Sequence, residues 1–404
     1  MQNSNQKIAP VTERIELLDV IRGFALVGIL FANILSWSGI KFLDFDIIKS
    51  FGNFEDDKML YNILKYFVDT KFYTIFSLLF GIGFGLQISK NKDNPSFPPL
   101  YARRLIWLLI IGSLHAAIWS GDILMLYALM GFIMLLLRNI EQKSKLKLAL
   151  VLFAFPIFLD IIYMYTFAKE LTPITPTALK MYPDMTPEEV VAGFQSVNLF
   201  TVFKTNFHNV IWRWFDFIPS GRPFKVLGLF LLGSYLYSSG YFNEKVKKVK
   251  TFIILFIFGM GFTYLVMTLK GGVSAFSKTW MDILYKLIHE VGQISLSLSY
   301  ISLIAILLNA FPKLFVWDAL KSYGRMSLTS YIGQTLLGIL VFYPIIAFDY
   351  YGKLSLESIF YFGGLMLIVQ IIFSMLWLKW FKFGPIEWAW RCLTYKKLFP
   401  ILKQ

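Results

Sequence analysis

The chain has 404 residues, 57% of them hydrophobic and only 16% charged, with a mean hydropathy of +0.61. A soluble domain is usually about 45–50% apolar and about 25% charged, so the composition excludes a water-soluble globular fold. The formal net charge of +14 would suggest nucleic acid in a soluble protein. Here the basic residues sit in short segments between apolar blocks, a pattern the positive-inside rule explains without a polyanion, and no nucleic-acid partner is expected.

The polar head before the first apolar block contains Glu13, Arg14 and Glu16, and no small-residue cleavage pattern closes that block. The first helix is therefore expected to be retained. Hydropathy predicts about ten spanning helices, near 17–37, 64–88, 104–120, 122–138, 148–167, 224–240, 251–269, 290–310, 327–348 and 357–379. Each is close to the length that crosses about 30 Å of hydrocarbon. The fold class is thus all-α, a polytopic helical bundle forming one membrane domain over 1–404, in the plasma membrane.

The first span reads LLDVIRGFALVGILFANI. Asp19 and Arg22 are three residues apart and pair on one helix face as a structural ion pair. Asn33 follows Arg22 by eleven residues, three turns, and shares that face. In the second span, FGIGFG at 80–85 lacks the strand–turn–helix setting of a nucleotide fingerprint and reads as close approach between helices. The third and fourth spans contain His115 and, after a Trp-Ser-Gly break, Asp122. Asp160 lies in the fifth span and Gln334 in the ninth. Between the fifth and sixth, 168–223 is expected to be an external helical loop or lid. Thr186, Pro187 and Glu189 there form a capping-box start, and NVIWRWFDFI reads as an interfacial helix with Trp212 and Trp214 at headgroup level.

Every second loop is basic: Arg103–Arg104; Arg138 with Lys143, Lys145 and Lys147; Lys245 to Lys250; Lys313, Lys321 and Arg325; and the tail with Lys382, Arg391, Lys396 and Lys397. That alternation predicts cytoplasmic termini, an amphipathic cytoplasmic tail over 380–404, and an external 168–223 region. At 1.5 Å per residue, Asn33, His115, Asp160 and Gln334 each lie roughly 14–20 Å above the basic flank of their own helix. Four polar groups at similar depth point to one site.

His115 has two readings: a general base near neutral pH, oriented by Asp122, or a buried imidazole holding helices together. Asn33, Gln334 and Asp160 are candidate substrate ligands, with helix packing as the alternative. Arg104, Arg325 and Arg391 can meet phosphates, or they can simply set topology. His208 and His289 are expected near the outer surface. One cysteine, Cys392, and three histidines leave no metal site expected.

Several stretches together, ERIELLDVIRGFALVGILFANI, IFSLLFGIGFG, RRLIWLLIIGSLHAAIWSGDILMLYALMG, GRMSLTSYIGQT and GPIEWAWRCLTY, resemble the YeiB-like family of bacterial membrane proteins, a domain-of-unknown-function family. The opening also resembles a wider transmembrane acyltransferase superfamily that includes the heparan-α-glucosaminide acetyltransferases. Asp19, Arg22 and Gly23 match the shared opening, and Asn33 matches the Asn that closes it. Those enzymes carry a catalytic His just after that Asn, and ILSWSGIKFLDF contains none, so His115 would have to substitute from another helix. The resemblance implies transfer of an acyl group from cytoplasmic acyl-CoA to a hydroxyl or amine on an external glycan, lipid-linked or small-molecule acceptor. Arg104, Arg325 and Arg391 would hold the donor. The alternative function is a small-molecule or lipid transporter or flippase with a mid-membrane site. Candidate partners are membrane lipid and a second copy of the chain.

Overall fold

The computed structural model describes residues 15–43, 45–51, 54–166, 185–217, 220–242, 245–270, 279–345 and 348–403. Glu13 and Arg14 of the polar head, and residues 168–184 of the expected external region, lie outside that set. Apart from one isolated bridge between Phe381 and Leu402, the regular elements among the described residues are helices. In chain order they are α1 Glu16–Trp37, α2 Phe45–Lys49, α3 Phe54–Ile63, α4 Lys71–Lys90, α5 Phe97–Ile118, α6 Leu124–Leu136, α7 Gln142–Thr166 and α8 Pro187–Phe194. There follow α9 Leu199–Asp216, α10 Arg222–Ser238, α11 Val249–Lys270, α12 Trp280–Ala310, α13 Phe315–Arg325, α14 Ser327–Phe342, α15 Leu356–Trp380 and α16 Pro385–Tyr395.

Each apolar block of the sequence falls on one of these helices. Among the described residues, six stretches are long and apolar enough to cross a membrane: α1, Asp57–Lys90, α5, α11, α12 and α15. The chain is thus an all-helical protein of the membrane class. The lipid-facing side is legible on α5, where Ile106, Ile110, Leu114 and Ile118 recur every fourth residue and are exposed. Water would penalise such a stripe, whereas hydrocarbon does not. The opposite face, with Leu105, Leu108, Gly112 and His115, is buried.

Polar groups on these helices turn inward, because hydrocarbon offers them no partner. Asp160 of α7 accepts a bond from Lys286 of α12 at 2.6 Å, with both side chains about 95% buried. Lys225 of α10 pairs with Glu290 of α12. With Lys270 of α11, which pairs with Asp282, these cross-helix ion pairs tie α12 to its neighbours. His208 and His289 are both buried: Trp212 donates to His208 Nε2 at 2.7 Å, and Gln293 bonds His289. Both histidines are turned in for the same reason, since an unsatisfied imidazole in lipid is costly.

Backbone contact sets the α1–α13 pair. A Cβ on Gly23 would stand 2.0 Å from the Leu320 carbonyl oxygen, and one on Gly324 would stand 2.0 Å from that of Asp19. Only two glycines let these helices touch there, and the touch brings Arg22 and Arg325 to the rim of one cavity. In FGIGFG, Gly81 makes the expected close approach, to the Phe230 carbonyl of α10, while Gly83 has open space.

Two smaller helices fix the ends. The capping box on α8 forms as expected, with Glu189 N donating to Thr186 Oγ1 at 3.2 Å and Thr186 N to Glu189 Oε2 at 2.8 Å. On α9, Asn206 clamps the end of α5: its amide donates to the carbonyls of Ala116 and Ala117, at 2.9 and 3.0 Å, and accepts from Ser120 N at 2.7 Å. Those carbonyls are among the four that a helix C-terminus leaves without partners.

Removing one member of the Asp160–Lys286 pair breaks a buried ion pair, a loss of about 3–5 kcal/mol. Lys286→Met is expected to lower the unfolding midpoint in detergent, and Asp160→Asn combined with Lys286→Met to recover part of the loss. Thermal denaturation of the three proteins checks this.

Candidate functional site

Between α1, α4, α5, α6 and α16 lies a cavity of about 560 Å³, within the range of about 300–1,000 Å³ typical of ligand pockets. Its long direction follows α1. Asp19 and Arg22, in the first turns of that helix, line one end, and Asn33, three turns on, lines the cavity toward the other. We refer to these as the basal and distal ends. The polar stripe expected on α1 is therefore a strip of cavity wall.

The basal end is cationic. Arg22, Arg104, Arg325 and Arg391 all line the cavity. Arg22 holds Asp19 at 2.5 Å. The Arg104 guanidinium stacks 3.9 Å from the Trp390 ring, and the Trp390 indole donates to the Arg104 carbonyl at 2.9 Å. Arg325 donates to the Lys382 carbonyl at 3.4 Å. Arg391 lies over the rings of Phe383, Tyr395 and Phe399 at 4.9–5.4 Å.

Glu387 organises this end, and sequence reading assigned it nothing. Its Oε1 accepts from the backbone N–H groups of Leu328 and Thr329, at 2.6 and 3.0 Å, and its Oε2 accepts the Thr329 hydroxyl at 2.6 Å. Leu328 and Thr329 open α14, so the carboxylate satisfies N–H groups that a helix start leaves without partners and faces the positive end of its dipole. The pattern GPIEW is the available signal: Pro385 starts α16, and Glu387 projects from its first turn toward α14.

The distal end gathers residues the sequence reading missed. Lys41, Asp69, Thr70, Tyr73, Arg213 and Arg222 line it with Gly121, Ile123 and Tyr127. Thr70 adopts φ 65°, a left-handed conformation that is an outlier for a β-branched residue and a mark of functional sites. Burial, then the neighbouring Arg222, push the Arg213 guanidinium down to about 10. Burial and then Arg213 and Arg222 push the Lys41 amine down, against Asp69 and Asp216.

The four groups expected to converge at one depth do not meet. Asn33 alone of them lines the cavity. His115 is 2% exposed and was expected to face it. Instead Nδ1 bonds Asp122 Oδ2 at 2.7 Å and Nε2 bonds Thr335 Oγ1 at 2.9 Å, with Asp122 Oδ1 also accepting Met125 N at 2.9 Å. The imidazole sits one side chain behind the wall, its ring centroid 5.1 Å from that of Tyr331, which does line the cavity. Asp122 does orient His115, but the pair is closed on itself. Gln334 is fully buried, donating to the Leu26 carbonyl at 2.9 Å and to the Tyr323 hydroxyl at 2.8 Å. Asp160 is bonded to Lys286, away from the cavity lining. Equal depth along separate helices leaves rotation about each axis undetermined, and rotation decides what meets. Among the described residues no group of three or more His, Cys, Asp or Glu side chains could hold a metal.

An all-helical membrane chain with a ligand-sized cavity that carries cationic groups at both ends is the class that fold and site define. Residues 236–397 match the family described as "Protein of unknown function (DUF418)". The chain is 30% identical over 411 residues to the "Uncharacterized protein YxaH" of Bacillus subtilis (strain 168), covering 97% of both. It is 31% identical over 415 residues to an "Uncharacterized 39.9 kDa protein in amylase 3'region" of Bacillus acidopullulyticus, covering 96% of both. It is 25% identical to the "Uncharacterized protein YeiB" of Escherichia coli (strain K12), over 97% of this chain and 99% of that one. The chain belongs to this YeiB-like DUF418 family.

Burial raises the Glu387 carboxyl above the ordinary range, opposed by its bonds from Thr329 and Leu328. The folded state then holds a proton over an interval where the unfolded chain, titrating at about 4.3, has lost it. Stability is therefore expected to fall as pH rises through that interval. Melting in detergent as a function of pH, compared with Glu387→Gln, checks this. The variant should lose the slope.

Proposed function

We propose that the cavity carries acyl transfer from an acyl-CoA at its basal end to a hydroxyl or amine acceptor at its distal end. The carrying observation is the cavity itself, which runs along α1 from four arginines to Asn33 and a second cationic cluster. The arginines suit the phosphates of the donor, with Arg104, Arg325 and Arg391 as its ligands. The cavity length lets a thioester arm reach toward the distal half.

In the transfer, the acceptor oxygen or nitrogen attacks the thioester carbonyl, a C–O or C–N bond forms, and the C–S bond breaks. The acceptor proton passes to a base and then to the departing thiolate. Asn33 polarises the carbonyl from the cavity wall. His115, held by Asp122, is the base, and it gains access when the Tyr331 ring turns aside. In the membrane, the alternating basic loops put the basal end and both termini in the cytoplasm, with about ten passes through the plasma membrane and 168–223 outside. The 380–404 tail, containing α16, then forms the cytoplasmic rim.

Purified protein should consume acyl-CoA and release free CoA thiol when an acceptor is supplied. Asn33→Ala is expected to reduce turnover by about 10²–10³, the usual loss for one carbonyl-polarising donor, without shifting the melting point. His115→Gln should abolish turnover, and Arg391→Gln should raise KM for the donor while leaving kcat near its original value. Substrate flux across proteoliposomes in the absence of CoA, with no thiol released in its presence, would replace this reading with the transporter.

A further inference from the structure

The distal cluster has an electrostatic peculiarity. Lys41, Arg213 and Arg222 line one end of the cavity, and none of them makes a hydrogen bond or ion pair with a described residue. Arg213 Nε is buried without a partner. Their other contacts are aromatic: Arg222 lies 5.4 Å from the Tyr73 ring and 5.9 Å from Phe217, and Arg213 lies 5.4 Å from Phe217. Lys41 keeps solvent-accessible surface yet is desolvated by surrounding protein, as a side chain opening into an internal cavity must be.

Counter-charge is scarce. Among the described residues, Asp69 is the one carboxylate that lines this end. Asp216 is near enough to act on Lys41 and Arg213 but is not among the residues that line the cavity. Asp122 also acts on Arg213 from behind the wall, and it is already held by His115 and Met125 N. Three helices begin here as well: Thr70, Ile123 and Arg222, at the starts of α4, α6 and α10, all line the cavity. Their N-terminal dipoles add positive potential. Two guanidinium forks and an ammonium gathered with so little counter-charge call for a multiply charged oxyanion. Guanidinium matches the tetrahedral oxygens of phosphate two at a time.

We propose that Lys41, Arg213 and Arg222 form a phosphate subsite at the distal end of the cavity, so that the acceptor is an alcohol carrying a phosphate ester. The choice of acceptor rests on the acyl-transfer reading, whereas the subsite itself does not. Asn33, on the same wall, lies between this subsite and the basal arginines, where the free hydroxyl of a bound phosphoalcohol would meet the incoming thioester.

Binding can be read without any turnover. The full chain, purified in a maltoside detergent that carries no phosphate, would be titrated with glycerol 3-phosphate and, separately, inorganic phosphate, following the melting temperature. Glycerol and glucuronate serve as uncharged and carboxylate controls. A parallel titration compares phosphatidylglycerol with diacylglycerol in mixed micelles, which separates a lipid headgroup from a soluble ester. Saturable stabilisation by a phosphate compound is expected, weakened about tenfold or more in Arg213→Gln and in Arg222→Gln, the usual size for loss of a charge-assisted bond. Lys41→Gln, which breaks no existing hydrogen bond, guards against variants that fail to fold and should weaken binding in the same direction. Lys247→Gln, which removes an exposed charge outside the cavity lining, should leave the phosphate titration unchanged. Absence of saturable stabilisation, binding by all three distal variants as tight as that of the unsubstituted protein, or stabilisation by glucuronate alone would overturn the subsite. Phosphate binding in a protein that never consumes acyl-CoA would uphold the subsite and remove the acyl-transfer reading on which the acceptor depends.

Discussion

Hydrocarbon neither donates nor accepts hydrogen bonds, and that constraint orders the whole molecule. Every polar side chain placed on a lipid-length helix must find a partner inside the bundle or an internal space that water can fill. The described helices use both solutions. One set of polar groups is closed: Asp122–His115–Thr335, the Gln334–Tyr323–Gln370 chain, and the two ion pairs that α12 makes with α7 and α10. The other set opens on the cavity. Closed networks fix rotation and register of the helices, because a half-satisfied buried network is costlier than an apolar core. The open set is what remains for chemistry.

His115 shows how the two sets meet. Nucleophile, base and orienting carboxylate within hydrogen-bond reach is the arrangement that activates a hydroxyl, and Thr335, His115 and Asp122 satisfy it at 2.9 and 2.7 Å. Yet Thr335 has no exposed surface, so a substrate cannot reach that hydroxyl in this arrangement. The geometry serves catalysis only through motion of the wall at Tyr331. Otherwise it serves to pin α14 against α5, and the asparagine clamp from α9 on the end of α5 works to the same end.

Legibility in the sequence followed the range of each physical signal. Helix positions were readable because hydrophobic blocks are local, and the α1 stripe of Asp19, Arg22 and Asn33 was readable because 3.6-residue periodicity is fixed within one helix. Gly81 was readable as a contact for the same local reason. Partners across helices were not: Gln334 and Asp160 have the depth of Asn33, but rotation turns them to Tyr323 and Lys286. The distal cations were invisible for another reason. Lys41, Arg213 and Arg222 stand outside the strongly apolar blocks and look like ordinary loop charges until the fold gathers them.

The two cationic ends differ in a way that composition cannot express. Each basal arginine has a compensating contact within the chain: a carboxylate for Arg22, the face of Trp390 for Arg104, a carbonyl for Arg325, three rings for Arg391. Such contacts hold a guanidinium in place and lower the cost of reorganising when an anion arrives. At the distal end Arg213 and Arg222 lie over aromatic rings, and Asp69, Asp122 and Asp216 supply the neighbouring negative charge without bonding them. A strained Thr70 and three helix starts share their space. Preorganisation at one end and uncompensated charge at the other make the cavity polar in its energetics as well as in its lining. Under the proposed reading, that difference between the ends would orient a phosphate-bearing ligand along α1.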